Sequence, residues 1–426
     1  GCCHFGDADM TMPLMRPQRK NPVLRTPQIN LPPGSRGRVA LGLTSAAALG
    51  RFELQTCTDC GAVQYPPREA CHRCLSPRLR WREQSGAGRL LAVTTLHHSN
   101  DLYFRERLPW RLGMVQLDAG PSVMAHLHGA VKADAQRVRL GARLDRAGQA
   151  VLIAFPVEDE AHMADDPMLR EMTSDPKFRK VLVTDGKTAV GQALVKALVK
   201  AGADIVWVGH AEPWKKLPGM DELAQLPQVA MVPLDVTNGR SVTELAGEIG
   251  GKVDIVINNA EVHRGFGIAA RRGTDVARAE MDVNYLGLLR LAQEFGPALK
   301  GRSADGVTHA SAWVNLLSIY ALSNFPPHGT FSASKAAAYS LTQCLRAEMR
   351  PAGIRVINVF PGPIDEEWNQ QLPPPKLAPS ALASAVVKAL RDGVEDVYPG
   401  DVAQEWLARW RDDPKVLERE LAMNGG

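Results

Sequence analysis

The spacing of apolar and polar positions changes twice along this 426-residue chain. Residues 13–37 show no period and are punctuated by Pro13, Pro17, Pro22, Pro27, Pro32 and Pro33. That predicts an extended arm over 1–37. Leu41 to Leu49 (LGLTSAAAL) predicts a short helix. Over 83–156, short runs of β-type residues (LLAVTTL, GMVQLD, VMAHLHG, AVLIAF) alternate with turn residues, which predicts a small β-barrel. Residues 157–177 are acidic, carry Pro167 and Pro176, and predict a linker. From Phe178 onward, strand-like runs (VLVTD, DIVWVG, VAMVPLDV, VDIVINNA) are joined by helical runs such as QALVKALVKAG. Strands alternating with helices predict βαβ units and hence an α/β, doubly wound parallel sheet over 178–426.

Length and composition narrow this picture. At roughly 150 residues per domain, 426 residues make two or three domains. Hydrophobic residues at 45% and charged residues at 23% exclude global disorder and a collagen-like chain. No run of about 18 apolar residues occurs, so no membrane span is expected. No basic segment precedes an apolar core, and Phe5 stands where myristoylation needs Ser or Thr. The expected compartment is the cytoplasm. The net charge of +4 conceals two opposed parts. Residues 14–156 hold 21 Lys and Arg against 9 Asp and Glu, a net of +12. Residues 157–426 hold 29 against 35, a net of −6.

Four of the seven cysteines are clustered, as Cys57-x2-Cys60 and Cys71-x2-Cys74, with ten residues between the pairs. Four thiolates at this spacing close a tetrahedral zinc site. Gly61 follows the first pair as a tight turn requires. Four protein ligands leave no open position for water, so the zinc is expected to be structural. Cys2 and Cys3 lie in an unpatterned leader, and Cys344 in an apolar helical run is expected to be an inert core residue.

Residues 52–156, through FELQTCTDCGAVQYPPREACHRCLS, SGAGRLLAVTTLHHS, PWRLGMVQLDAG and VRLGARLD, resemble the zinc-ribbon plus OB-fold proteins that accompany thiolases. The resemblance implies a helix and rubredoxin-like ribbon over 38–82 and an OB-fold over 83–156. It also implies a thiolase or thiolase-like partner subunit and an acyl-CoA substrate shared with it. The positive charge of this part suits CoA phosphates or an acidic partner surface. A nucleic-acid-binding OB-fold is the alternative, but the strand runs carry few aromatic residues on which bases could stack.

Residues 178 to about 400 resemble the short-chain dehydrogenase/reductase family. The landmarks occur in family order: LDVT at 234–237, NNA at 258–260, MDVNYLG at 281–287, NLLS at 315–318, FSASK at 331–335 and FPGP at 360–363. The resemblance implies a Rossmann-like sheet, with Thr184, Gly191, Asp235 and Asn258 at cofactor positions. It places Asn284, Ser318 and Lys335 at three of four catalytic positions. The fourth, a tyrosine whose hydroxyl exchanges the proton, is Phe331. Loss of such a group costs about 10²–10⁴-fold in rate.

The phosphate turn is altered as well. The family pattern Thr-Gly-x-x-x-Gly-x-Gly reads Thr184-Asp185-Gly186-Lys187-Thr188-Ala189-Val190-Gly191. Gly186-Lys187-Thr188 is similar to a P-loop ending, but Val181 stands where that motif needs glycine. NNAG has become Asn258-Asn259-Ala260-Glu261, and Glu366 replaces a threonine that contacts the nicotinamide. Asp185, Glu261 and Glu366 thus put carboxylates where an anionic dinucleotide would lie, which argues against a bound NAD(P).

The expectation is therefore a pseudo-oxidoreductase domain with vestigial site residues, acting as a scaffold in a thiolase-type acyl-CoA complex. The alternative is an active NAD(P)-dependent 3-hydroxyacyl-CoA dehydrogenase with a variant site. Tyr320 and His328 are the groups nearest in sequence that could replace the tyrosine, with a packed aromatic and a loop histidine as their plainer readings. The helices after Asn284 and around Lys335 are expected to mediate homo- or hetero-oligomers. Trp406 and Trp410 are expected to pack.

Overall fold

The protein is described by a computed structural model covering residues 13–16, 29–34, 36–215, 217–305 and 309–424. Most of the expected arm over 1–37, with Cys2, Cys3 and Phe5, lies outside these described residues. The chain divides into two compact units at Ser174/Asp175, with the short piece Asp392–Val394 grouped with the first.

In the first unit, α1 (Leu41–Ala48) is followed by a three-stranded antiparallel sheet of β1 (Glu53–Cys57), β2 (Val63–Gln64) and β3 (Leu79–Glu83), in the order β2-β1-β3. Five strands then close a barrel: β4 (Ala87–Leu96), β5 (Trp110–Leu117), β6 (Ser122–Leu127), β7 (Arg137–Leu144) and β8 (Ala150–Phe155). Their order is β4-β5-β6-β8-β7, with β6 and β8 parallel and β7 pairing back to β4. Alternation sets which side chains fill it. Along β7, Val138, Leu140, Ala142 and Leu144 are buried, while Arg137 and Arg139 are exposed. Leu43 and Ala47 of α1 join the same core. A Cβ at Gly113 of β5 would come within 2.9 Å of the Leu127 and Leu90 side-chain methyls, so a larger residue there would displace them.

Residues 157–177 are more structured than a linker. They hold a 3-10 turn (Met163–Asp165) and α2 (Pro167–Met172). Met168, Leu169 and Met172 pack with Trp110, Ile153 and Phe155. Two of the segment's acidic residues are tied to the barrel unit. Asp166 caps α2 by accepting from the Leu169 amide (2.8 Å) and also accepts from the Gly129 amide (2.8 Å). Glu171 pairs with Arg107 at 3.0 Å. Acidic composition and two prolines conceal a three-residue apolar anchor.

The second unit is a seven-stranded, all-parallel sheet. Its strands are β9 (Lys180–Val183), β10 (Ile205–His210), β11 (Val229–Pro233), β12 (Ile255–Asn258), β13 (Ala312–Leu316), β14 (Arg355–Val359) and β15 (Asp396–Val397). The order β11-β10-β9-β12-β13-β14-β15 reverses direction between β9 and β12. β9, β12 and β13 are almost wholly buried, as expected for a sheet covered on both faces. Three helices matter for the site: α3 (Ala189–Lys200), α4 (Leu288–Arg302) and α5 (Gly329–Met349). Trp406 packs on Tyr320 (ring centroids 5.4 Å) and Phe325 (6.0 Å), as expected. Tyr339 meets Phe360 edge to face. Cys344 is exposed, which corrects the core assignment. The buried stripe of α5 runs through Ala338, Thr342, Leu345 and Met349, and Cys344 falls off that stripe. Among the described residues no helix is long and apolar enough to cross a membrane.

Candidate functional site

The first unit gathers four thiols. Cys57 ends β1, and the chain turns back through Gly61, whose φ of 72° favours glycine and whose amide donates to the Cys57 carbonyl at 3.0 Å. Cys71 and Leu75 repeat the same 3.0 Å turn, with Leu75 at φ 61°. The two turns bring all four sulfurs within 4.8 Å of one another, with Cys57–Cys74 and Cys60–Cys71 each at 3.6 Å. A tetrahedron with Zn–S of about 2.3 Å has S···S edges of about 3.8 Å, so the donor set fits zinc. Backbone amides of Cys74 and Arg73 pull the Cys71 thiol down to about 7, while against the pull of the Ser76 amide the neighbouring sulfurs and burial leave the Cys74 thiol raised. Among the described residues this is the one cluster of three or more potential ligands that converges.

In the second unit the turn after β9 and the end of β12 meet at the point where strand order reverses, where open α/β sheets bind ligands. The Thr184 hydroxyl accepts from the amides of Asn259 (3.0 Å) and Ala260 (3.1 Å) and faces the carboxamide oxygen of Asn258 (3.3 Å). Asn259 donates to the Asp185 carbonyl and accepts from its amide (3.0 Å). Gly191 is obligatory, since a Cβ there would lie 2.0 Å from the Asp185 carbonyl oxygen. None of residues 184–191 has positive φ, so Asp185 and Ala189 occupy former glycine positions without strain. The Asp185 carboxylate turns into its own loop, accepting from the Lys187 amide (2.9 Å) with the Lys187 ammonium 3.8 Å away. Burial pushes its carboxyl above the usual range, and Lys187 offsets part of this. Asp235 lies apart from this group and accepts from Thr237 at 2.9 and 2.7 Å.

Thr188 caps α3, accepting from the Gly191 amide at 3.0 Å. A second acceptor at that helix end comes from 176 residues away: Glu366 Oε1 takes the Val190 amide at 3.2 Å. Burial, followed by the charges of Glu261 and Asp185, holds the Glu366 carboxyl above its ordinary range, although the Val190 hydrogen bond pulls the other way.

Residues 331 and 335 fall on one face of α5, and His328 immediately precedes that helix. Phe331 is buried in the family's tyrosine position. Lys335 is also buried; its Nζ donates to the Leu316 carbonyl (3.0 Å), pairs with Glu261 (2.7 Å) and lies 5.5 Å from the Phe331 ring centre. Asn284 sits in a wide π-type turn (Asp282–Gly287) and spends its carboxamide on the Val262 amide and carbonyl (2.9 Å each) and the Ser334 hydroxyl (2.8 Å). The Ser318 hydroxyl accepts from the Tyr320 amide (3.2 Å).

One neighbour of this group, His263, carried little sequence signal. The His263 ring stacks on Phe331 (centroids 3.7 Å, planes 13° apart). Its Nε2 meets His328 Nδ1 at 2.9 Å, and its Nδ1 is 3.8 Å from Glu261. Burial drives His263 down to about 4, so it is neutral near pH 7. His328 is therefore a buried member of a histidine pair rather than a loop histidine. Tyr320 packs between Phe325 and Trp406, and burial raises its hydroxyl pKa. Glu261 and Glu366 were visible as misplaced carboxylates; what they hold was not.

The family model described as "short chain dehydrogenase" matches residues 179–376. Two further models match ahead of it: "ChsH2, rubredoxin-like zinc ribbon domain" over 44–80 and "ChsH2, C-terminal OB-fold domain" over 81–149. An uncharacterized oxidoreductase of Staphylococcus aureus is 31% identical over 215 residues, which cover 49% of this chain and 89% of that protein. A farnesol dehydrogenase of Aedes aegypti is 29% identical, over 44% of this chain and 77% of the relative. A short-chain dehydrogenase of Burkholderia cenocepacia, solved with NADP, is 36% identical at a TM-score of 0.52, covering 58% of this chain and 98% of its own. Through its second unit the chain belongs to the short-chain dehydrogenase family, and it carries ahead of that domain a zinc ribbon and OB-fold of the ChsH2 type.

Proposed function

We propose that this chain is an accessory subunit of a thiolase-type acyl-CoA complex whose dehydrogenase-like domain serves as a scaffold without turnover of its own. The observation that carries the reading is the state of Lys335. It lies beside Phe331, which has no proton to exchange, and its charge is taken up by Glu261. A lysine in that position tunes a phenol in active relatives; here there is none to tune. The ribbon and OB-fold supply the link to acyl-CoA chemistry, through their resemblance to thiolase-associated proteins. On this reading Asn284, Ser318 and Lys335 are retained as packing, and Thr184, Gly191, Asp235 and Asn258 as the frame of a former cofactor turn.

One observation favours a second reading. The Burkholderia cenocepacia relative, 36% identical, was solved with NADP. An active NAD(P)-dependent 3-hydroxyacyl-CoA dehydrogenase would keep that cofactor and use another proton donor. The test has two arms. Co-expression with a thiolase encoded beside this chain should give one co-eluting species at micromolar concentration. Assays with 3-hydroxyacyl- and 3-ketoacyl-CoA and either dinucleotide should show no turnover. Separate elution sinks the accessory reading, and saturable turnover establishes the second.

A further inference from the structure

The residues of the cleft do not fit a dinucleotide, and the misfit is specific. A helix N-terminus attracts a phosphate because its first amides are unpaired and its dipole is positive there. At the start of α3 the Val190 amide is already taken by Glu366 (3.2 Å). An ammonium buried near a ligand's sugar holds it by donating to hydroxyls. Lys335 has instead a carboxylate at 2.7 Å and a carbonyl at 3.0 Å. Each carboxylate stands at a motif position where the family has a neutral residue, Gly for Glu261 and Thr for Glu366. Neither is a stray surface charge, because each is bonded to a group that dinucleotide binding would require.

We propose that Glu261 and Glu366 determine the ligand specificity of this cleft by occupying the Lys335 ammonium and the Val190 amide of α3 from within, so that a phosphorylated dinucleotide is refused. This rests on the accessory reading above and supplies its physical basis. A dinucleotide would have to displace a carboxylate from the Val190 amide and bring its own negative charge beside that carboxylate. It would also have to separate the Glu261–Lys335 pair. Asp185 is not part of the block, since its carboxylate is turned into its own loop toward Lys187. The frame behind the block is intact: Gly191 makes its close approach, and Thr184, Asn258 and Asn259 tie β9 to β12. Removing the two carboxylates should therefore open a usable site.

The experiment measures NADPH and NADH binding to the zinc-loaded full chain by calorimetry, for the wild type, Glu261→Gly, Glu366→Thr and the double variant. The wild type is expected to show no saturable binding below millimolar concentration. The double variant is expected to bind at least roughly 100-fold tighter than that limit, with each single variant between. The isosteric pair Glu261→Gln and Glu366→Gln guards against misfolding, because it removes charge with little change in shape. It should give a smaller gain in the same direction. Micromolar binding by the wild type overturns the proposal, as does the absence of any gain in double variants that melt like the wild type. Wild-type binding without turnover would overturn this inference alone and leave the accessory reading standing. Wild-type binding with turnover would remove both.

Discussion

The two units preserve different things. In the first, the chemistry survives in full: four cysteines, two tight turns and sulfurs 3.6 Å apart at the closest pairs. In the second, the frame survives while residues at the family's motif positions differ. Its sheet order, its switch point and the Gly191 close approach are kept, whereas Phe331, Glu261 and Glu366 stand at altered positions. The difference has a thermodynamic reason. A ribbon of some forty residues has little core and depends on its metal, so a lost cysteine is a lost fold. A parallel sheet with two buried faces is held by its own hydrophobic core, so its site can change without unfolding it.

The largest test of this contrast is zinc removal. Structural zinc contributes about 10–16 kcal/mol of apparent binding free energy. Chelation, or Cys71→Ser, should unfold the ribbon while hydrogen exchange in β9, β12 and β13 stays unchanged; coincident loss in both units would end the comparison. Next is Trp313→Ala. This side chain is fully buried in the second unit, and the substitution should cost that unit about 3–5 kcal/mol in urea while zinc content stays at one per chain.

The third test is acid. Burial holds His126 in the barrel and His263 in the cleft neutral, each down to about 4. A histidine depressed in the folded state binds its proton first when unfolded. Stability should therefore fall as pH drops from about 6.5 toward 4, by at most about 1.4 kcal/mol per pH unit for each histidine. Urea midpoints at pH 7 and 5 measure this. His263→Asn should flatten the slope of the second unit alone, and a slope unchanged by that substitution would count against a buried neutral His263.

The smallest effect is at Glu366, whose carboxyl is held high chiefly by burial. The sign is opposite to that of the histidines: the folded state prefers the protonated form, and the preference is lost as pH rises. Glu366→Gln should raise the melting temperature at neutral pH by roughly 1–2 °C, a screened fraction of 1 kcal/mol, and the gain should vanish near pH 4. A lower melting temperature at neutral pH would show the charge to be stabilising where it sits.

Much of this was legible in the chain. The CxxC pair announced the ribbon because metal ligation fixes both residue type and spacing. The short β-type runs of β4, β5, β6 and β8 and the apolar runs of β9 and β12 announced barrel and parallel sheet because burial imposes a period. Phe331 was legible as a departure from the tyrosine position because one position in a dense motif had changed. The acidic stretch 157–177 misled, since Met168, Leu169 and Met172 anchor it through only three side chains.

What sequence determined, then, was the inventory: two architectures, a metal set, and three carboxylates at a cofactor turn. Only the tertiary structure decided what those carboxylates do. Asp185 turns to its own loop, Glu366 crosses 176 residues to an amide of α3, and Glu261 crosses 74 to Lys335. Sequence position fixes which charges exist. The partner of a buried charge is set by which strand ends the fold brings together, because a charge out of water must find an opposite charge or a donor within a few ångströms.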